Sequence, residues 1–155
     1  MPPETLIRPC LPGDEHALAL VGQATFLETF AGLLAGPDII AHCASAHAVA
    51  LYRGWLADPD CQLWLVETQQ GRAPVGFMLV APARLPLPDL SPRDREIKRI
   101  YMLGKFQGGG TGKKLVAAAS PMAPARLPFR RPPKPWAVSQ NSFSPSRAAM
   151  GASAS

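Results

Sequence analysis

The middle of the chain shows the clearest pattern of hydrophobic and polar positions. Residues 61–67 (CQLWLVE) alternate apolar and polar side chains, which predicts a β-strand. A polar turn at residues 68–71 follows, and the apolar run at residues 75–81 (VGFMLVA) predicts the antiparallel return strand. Gly76 inside this second run predicts a β-bulge. Together these segments predict a β-hairpin with a buried face.

The segment before this hairpin has mainly helical patterns. Residues 5–10 predict a short first strand, and the turn after it ends at Asp14, which is expected to cap a helix over residues 17–30. Leu20, Ala24 and Leu27 share one helical face, which predicts that this face packs on the sheet. Residues 38–58 predict a second helical region, in two pieces that meet near Ser45.

Residues 95–116 combine a strand, a glycine-rich loop and a helix. The strand is predicted at residues 96–103, the loop at residues 104–112 and the helix from Lys113 onward. Glycines allow backbone N–H groups to turn toward an anion, and a helix N-terminus adds a positive dipole end, so the arrangement suits phosphate. The spacing fits neither a P-loop nor the dinucleotide fingerprint, because Lys114 and Lys113 replace the Ser/Thr and the last glycine that those motifs need.

Composition limits the class of protein. A chain of 155 residues with 47% hydrophobic residues suits one globular domain, and no run of about 18 apolar residues predicts a membrane span. The three cysteines are scattered and odd in number, which fits a reducing cytoplasm rather than a disulfide framework. The net charge is +5, and every Asp and Glu lies at or before Glu96, so the later part of the chain supplies the excess of positive charge.

The loop contains the pattern Q-x-x-G-x-G at Gln107, Gly110 and Gly112. With the strand before it, this pattern resembles the acetyl-CoA pyrophosphate loop of the GNAT superfamily of N-acetyltransferases. The order of elements over residues 5–119 is similar to the first two thirds of that α/β fold, whose mostly antiparallel sheet is flanked by helices. The segments at residues 25–30, 74–77 and 96–102 also resemble a bacterial subgroup that includes polyamine acetyltransferases.

The resemblance implies the reaction and its partners. Acetyl-CoA would be the co-substrate and a primary amine of a small molecule or a protein the acceptor, without a metal, a membrane or nucleic acid as a partner. Whether the protein forms a homodimer stays open. The backbone of Met102 would polarise the thioester and, with Leu103, bind the pantetheine arm. The pyrophosphate would bind the rest of the loop and the start of the helix, which are Gln107, Gly108, Gly109, Gly110, Thr111, Gly112 and Lys113.

The candidate proton acceptors are carboxylates. Glu96 on the central strand is the candidate base, and the alternative is a strand residue that pairs with Arg95 or Lys98. Glu28 on the first helix is a candidate contact for a cationic substrate, or else an exposed helix residue. His42 and His47 flank Cys43 without a usual zinc spacing, which favours packed or surface histidines over a metal site. Tyr101, Trp55 and Trp64 are expected in the core.

The resemblance ends near residue 119. Residues 1–120 are therefore expected to form the acetyltransferase domain. Residues 121–155 are expected to form a disordered or irregular tail rich in Pro, Ala, Ser and Arg, without the family's fifth strand and fourth helix. A natural tail and an out-of-frame reading of the gene both stay open. Two other functions stay open. One is an acyl-CoA-binding remnant without turnover. The other is an interaction protein that uses the basic residues of the tail, which are Arg126, Arg130, Arg131 and Lys134.

Overall fold

A computed structural model of the chain describes residues 3–84, 88–91 and 94–119. Four strands form one antiparallel sheet in the order β1-β2-β3-β4. The strands are β1 (Thr5–Pro9), β2 (Gln62–Thr68), β3 (Pro74–Pro82) and β4 (Arg95–Met102). The helices are α1 (Glu15–Phe30), α2 (Gly36–Ala46), α3 (Val49–Ala57) and α4 (Thr111–Ala119), with a 3-10 turn at Gly104–Phe106.

The sheet has a helical layer on each face. On one face α1 and α3 bury Leu18, Val21 and Tyr52 against β2 and β3. On the other face, α4 buries Leu115 in a cluster with Trp64 and Met78. The predicted order of elements and the α/β class are confirmed, as is the core position of Trp64. None of the helices within the described ranges is long and apolar enough to cross a membrane.

The predicted buried face of α1 was wrong. Leu20 and Leu27 are 58% and 54% exposed, whereas Leu18 and Phe26 are buried. Val21, which was expected near the predicted face, is buried with them. Residues 17–27 are apolar at so many positions that a stripe with a 3.6-residue period can be drawn in more than one phase. Only packing against the sheet and α3 selects one of these phases.

Asp14 precedes α1 as predicted, but its side chain makes no capping hydrogen bond. Its carboxylate instead accepts hydrogen bonds from Arg8 at 2.8 and 2.9 Å and from the Leu11 N–H at 2.7 Å. The hydrogen bond from Arg8 is the main cause that lowers the pKa of Asp14. Because Arg8 also pairs with Glu67 on β2, at 2.9 Å, this acid joins the start of α1 to the sheet rather than capping the helix.

Two boundaries near the glycine loop differ from the sequence prediction. Helix α4 begins at Thr111, two residues before the predicted start at Lys113. The β-bulge lies beside Gly76 rather than at it, because Gly76 pairs with Val66 and Pro74 pairs with Glu67, which leaves Val75 as the extra residue. A side chain at Gly76 would place its Cβ 2.9 Å from the Tyr101 carbonyl oxygen, so this glycine lets β3 approach β4 closely.

The two helical histidines are packed side chains, as the spacing favoured. His42 stacks on Phe26 with a ring-centroid distance of 4.0 Å. His47 is 1% exposed, and its Nδ1 lies 2.7 Å from the Tyr52 hydroxyl. Burial, with a smaller contribution from the charge of Arg99, lowers the pKa of His47 to about 3. The neutral ring can therefore accept a hydrogen bond from the Tyr52 hydroxyl at Nδ1.

This buried histidine predicts a loss of stability in mild acid. An unfolded histidine titrates near about 6.5, so between about pH 6.5 and 3 the unfolded chain binds a proton that folded His47 does not. The contribution of His47 to the free energy of unfolding is thus fully present above about pH 6.5. Below that pH it falls by up to about 1.4 kcal/mol per pH unit. Denaturant melts at pH 7.0, 6.0 and 5.0 should show this slope, and His47→Gln should reduce it. A smaller slope should remain from His42, because burial lowers the pKa of that histidine too. His16 is exposed, so His16→Gln should leave the slope in place, and equal slopes in all three proteins would contradict the assignment.

Candidate functional site

A cavity of about 270 Å³ lies where β4 meets the glycine loop and α4. Five of the residues that the sequence assigned to a cofactor site line this cavity: Met102, Gln107, Gly108, Thr111 and Gly112. Sequence reasoning missed two further lining residues, Ile100 and Phe106. Ile100 could have been found, because it lies two positions before Met102 and therefore on the same face of the strand.

The remaining predicted cofactor residues lie around this cavity. Leu103 packs against the core cluster on the α4 face, and its N–H donates to the Val75 carbonyl at 3.0 Å. Gly109 lies on the exposed loop, and Lys113 is exposed on the first turn of α4. Gly110 immediately precedes that turn. The lysine is thus placed at the rim of the cavity, where it can add positive charge.

The N-terminus of α4 offers backbone donors to the cavity. The N–H of Lys114 bonds the Gly110 carbonyl at 3.2 Å, and the N–H groups of the three residues before it (Thr111, Gly112 and Lys113) have no acceptor among the described residues. Gly108 and Gly110 adopt φ values of 87° and 80°, which residues with a side chain rarely reach. These glycines therefore allow the loop to turn so that the helix begins at the cavity.

The end of β4 offers one more backbone donor. Gly76 lies opposite Met102, and the N–H of the next residue, Leu103, points to β3. Since successive backbone groups alternate between the two sides of a strand, the N–H of Met102 points away from β3. In the described part of the chain β4 has no second neighbour, so this N–H faces the open edge of the sheet beside the cavity.

Gln107 holds the loop against this edge. Its Nε2 donates to the Met102 carbonyl at 2.8 Å. The side chain that begins the Q-x-x-G-x-G pattern is thus bound to the strand, and it stabilises the turn between Met102 and the glycines. Its backbone remains part of the loop that lines the cavity.

Glu28 approaches the same turn from the opposite side. Its Oε2 accepts the Gly104 N–H at 2.9 Å, although the residue is exposed on α1 as one of the two sequence interpretations expected. A Cβ at position 104 would lie 3.0 Å from the other carboxylate oxygen, so Gly104 leaves room for this contact. The result is a negative charge beside the end of β4, on the face away from the cavity.

Glu96 lies at the other end of β4 and does not line the cavity. Its Oε2 pairs with the Lys98 ammonium at 2.6 Å and lies 3.4 Å from the Arg84 N–H. Six residues separate it from Met102, or about 20 Å along an extended strand. The pairing with Lys98 is the alternative that the sequence left open.

Comparisons with known proteins give one family and a group of similar folds. The family model described as Acetyltransferase (GNAT) family matches residues 30–131. The structure is similar to that of the PaiA N-acetyltransferase from Thermoplasma acidophilum in complex with coenzyme A, with a TM-score of 0.62, 15% identity, and coverage of 77% of this chain and 71% of that one. A GCN5-related N-acetyltransferase from Ralstonia eutropha gives a TM-score of 0.56 at 20% identity, covering 76% and 74% of the two chains.

A third similar structure is that of AAC(6')-Iy in complex with the bisubstrate analog CoA-S-monomethyl-acetylneamine. Its TM-score is 0.55 at 17% identity, with coverage of 77% of this chain and 71% of that one. A comparison with curated protein sequences found no match. At these identities the structural similarities show a shared fold.

Proposed function

Because this chain belongs to the GNAT family of acetyltransferases, we propose that it transfers the acetyl group of acetyl-CoA to a primary amine. One observation supports the co-substrate most directly: the free N–H groups of α4 and the open edge of β4 border the same cavity. A helix N-terminus suits a pyrophosphate, and an unpaired strand edge suits the amide groups of a pantetheine arm. The pyrophosphate and the pantetheine arm, which are adjacent in acetyl-CoA, thus have matching surfaces in one place.

The proposed binding mode assigns a role to each group of residues. The N–H groups from Gly108 to Lys113 would hold the pyrophosphate, and the exposed ammonium of Lys113 would add charge. The backbone of Met102 would bind the pantetheine arm. Leu103, whose N–H donates to the Val75 carbonyl at 3.0 Å, would hold the end of the strand in place for the arm, and Gln107 would fix the turn between strand and loop. This arrangement places the thioester at the open edge of β4.

The chemistry then requires little from side chains. The neutral amine attacks the thioester carbonyl carbon, the C–N bond forms, and the C–S bond breaks with release of the CoA thiolate, which takes up a proton. Holding the two reactants together supplies much of the acceleration. The N–H of Met102, which faces the open edge, is placed to donate a hydrogen bond to the oxygen as it gains negative charge.

A carboxylate is needed because an alkylamine is mostly protonated at neutral pH. We assign the final acceptance of this proton to Glu96, a half-buried acid on the same strand as Met102. Because about 20 Å of strand separate the two residues, a chain of several waters would have to carry the proton. Glu28 is assigned the attraction of a cationic amine, since its exposed carboxylate lies at the end of β4. Polyamine-like acceptors and a bacterial cytoplasmic location, which the three free cysteines suit, complete the proposal.

Turnover is the test of this function. With acetyl-CoA and a panel of primary amines, the protein should release free CoA thiol, and Glu96→Gln should lower kcat by at least about tenfold with little change in the KM for acetyl-CoA. Asp38→Asn is the matched control and should keep full activity, because Asp38 is a half-exposed acid in the first turn of α2. Glu67→Gln is less suitable, since it would disturb the ion pair with Arg8 on β1.

The other outcomes separate the alternatives. Acetyl-CoA that raises the melting temperature without any thiol release would identify a binding remnant. No binding at all would reject the proposed function. A Glu96→Gln protein with wild-type kcat and a lower melting temperature would show that Glu96 acts only as the partner of Lys98.

A further inference from the structure

Arg99 lies on β4 in the face opposite the cavity, within the helical layer. Its Nη1 donates to the Ala46 carbonyl at 3.1 Å and to the Tyr52 hydroxyl at 3.3 Å, and lies 3.5 Å from His47 Nδ1. The guanidinium also stacks on the Trp55 ring, 4.7 Å from its centroid. These contacts fix a half-buried cation between the helices and the strand.

This cation has no carboxylate partner among the residues that the structure describes. None of the ion pairs among the described residues includes Arg99, and the stretches outside the description (residues 1–2, 85–87, 92–93 and 120–155) contain no Asp or Glu. Arg8, by contrast, pairs with two acids. A half-buried charge without a counter-ion is costly to keep, which suggests that a ligand supplies the anion.

The geometry of the guanidinium indicates which anion. The hydrogen bonds of Arg99 to described residues all use Nη1, so the edge formed by Nε and Nη2 makes no hydrogen bond to any residue that the structure describes. That edge is a planar fork suited to two carboxylate oxygens. Arg8 shows the same pairing in this protein, with its Nε and Nη2 on the two oxygens of Glu67 at 3.2 and 2.9 Å.

Arg99 lies on the side of β4 from which the amine acceptor would approach, and not on the side of the proposed acetyl-CoA cavity. Ile100 and Met102 point to the cavity on the α4 face, whereas Arg99 and Tyr101 contact the helical layer of the other face. Arg99 lies three residues before Met102, or about 10 Å along the strand. An amine that reaches the thioester from the face opposite the cavity would therefore pass this guanidinium.

We propose that Arg99 binds a carboxylate on the amine acceptor. This narrows the polyamine-like class of the proposed function to amines that also carry a carboxylate, such as lysine, in preference to simple amines. This proposal rests on the proposed function and names its substrate class. The Nε and Nη2 groups would bind the carboxylate, Trp55 would support the guanidinium, and the amine end would extend toward Met102.

Equilibrium binding tests the proposal without requiring turnover. Lysine and 1,5-diaminopentane differ by one carboxylate, and their affinities can be compared by calorimetry in the presence of CoA. The wild-type protein should bind lysine at least about tenfold more tightly. Arg99→Gln should remove this preference and leave diaminopentane binding within about threefold. Arg53→Gln, which removes an exposed arginine from α3, is the matched control and should keep the preference.

A second comparison needs no substitution, in case Arg99→Gln fails to fold. Lysinamide lacks only the carboxylate charge, so the unaltered protein should bind it about as weakly as diaminopentane. The proposal would be overturned if the wild-type protein bound lysine and lysinamide equally or bound neither of them. It would also be overturned if Arg99→Gln weakened the binding of lysine and diaminopentane to the same extent. Failure of the proposed function is seen separately, as the absence of acetyl-CoA binding or thiol release.

Discussion

Gly22→Ala is expected to destabilise the protein by about 3 kcal/mol, although alanine is the better helix former. A Cβ at position 22 would lie 2.3 Å from His47 Nδ1 and 2.5 Å from the Tyr52 hydroxyl oxygen. Both side chains are fully buried and hydrogen-bonded to each other, so neither can move without breaking that bond or shifting α1. The free energy of unfolding, measured by denaturant titration, should show the loss.

Gly54→Ala is the matched control. Gly54 also lies within a helix, α3, but a Cβ there would have no atom within 4 Å. The same substitution should therefore stabilise the protein by about 0.5 to 1 kcal/mol, through helix propensity alone. If Gly22→Ala also stabilised the protein, the close packing of α1 against the His47–Tyr52 pair would be wrong.

Gly112→Glu is expected to weaken acetyl-CoA binding by roughly tenfold to a hundredfold, or about 1 to 3 kcal/mol. A Cβ at Gly112 would have no atom within 4 Å, so a side chain fits, but the glutamate charge would stand in the first turn of α4 beside the proposed pyrophosphate site. Calorimetric titration with acetyl-CoA measures the effect. Added salt should reduce the difference between mutant and wild type, because it screens exposed charges.

The neutral variant Gly112→Gln separates charge from bulk. It has nearly the same size and should bind acetyl-CoA within about threefold of wild type. If both variants lost affinity equally, the defect would be steric, and if neither did, the pyrophosphate would not bind at the start of α4. Melting temperatures of the free proteins show whether either substitution alters the fold itself.

Much of the fold was predictable because local patterns and tertiary structure agree. The hairpin of β2 and β3 follows from an alternating strand, a turn and an apolar run, and its burial confirms that reading. The glycine loop could be recognised because Gly108 and Gly110 occupy backbone angles that favour glycine. Asp14 was misread because capping is a local rule, and Arg8 from a neighbouring strand competes for the same carboxylate.

The candidate site was predictable only in the part that is continuous along the chain. Met102, Gln107, Gly108, Thr111 and Gly112 lie within eleven consecutive residues, so a motif can reveal them. The contact of Glu28 with Gly104 joins residues 76 positions apart, and no local pattern indicates such a contact.

The sequence by itself therefore determined the order of elements, the hairpin core and a phosphate-type loop, because each depends on residues close together in the chain. Only the tertiary structure decided which face of α1 is buried, where the N–H of Met102 points, and that Arg99 has no carboxylate partner within the described part of the chain. The physical reason is that packing, strand pairing and charge pairing act between segments, and each chooses among alternatives that local propensity leaves nearly equal.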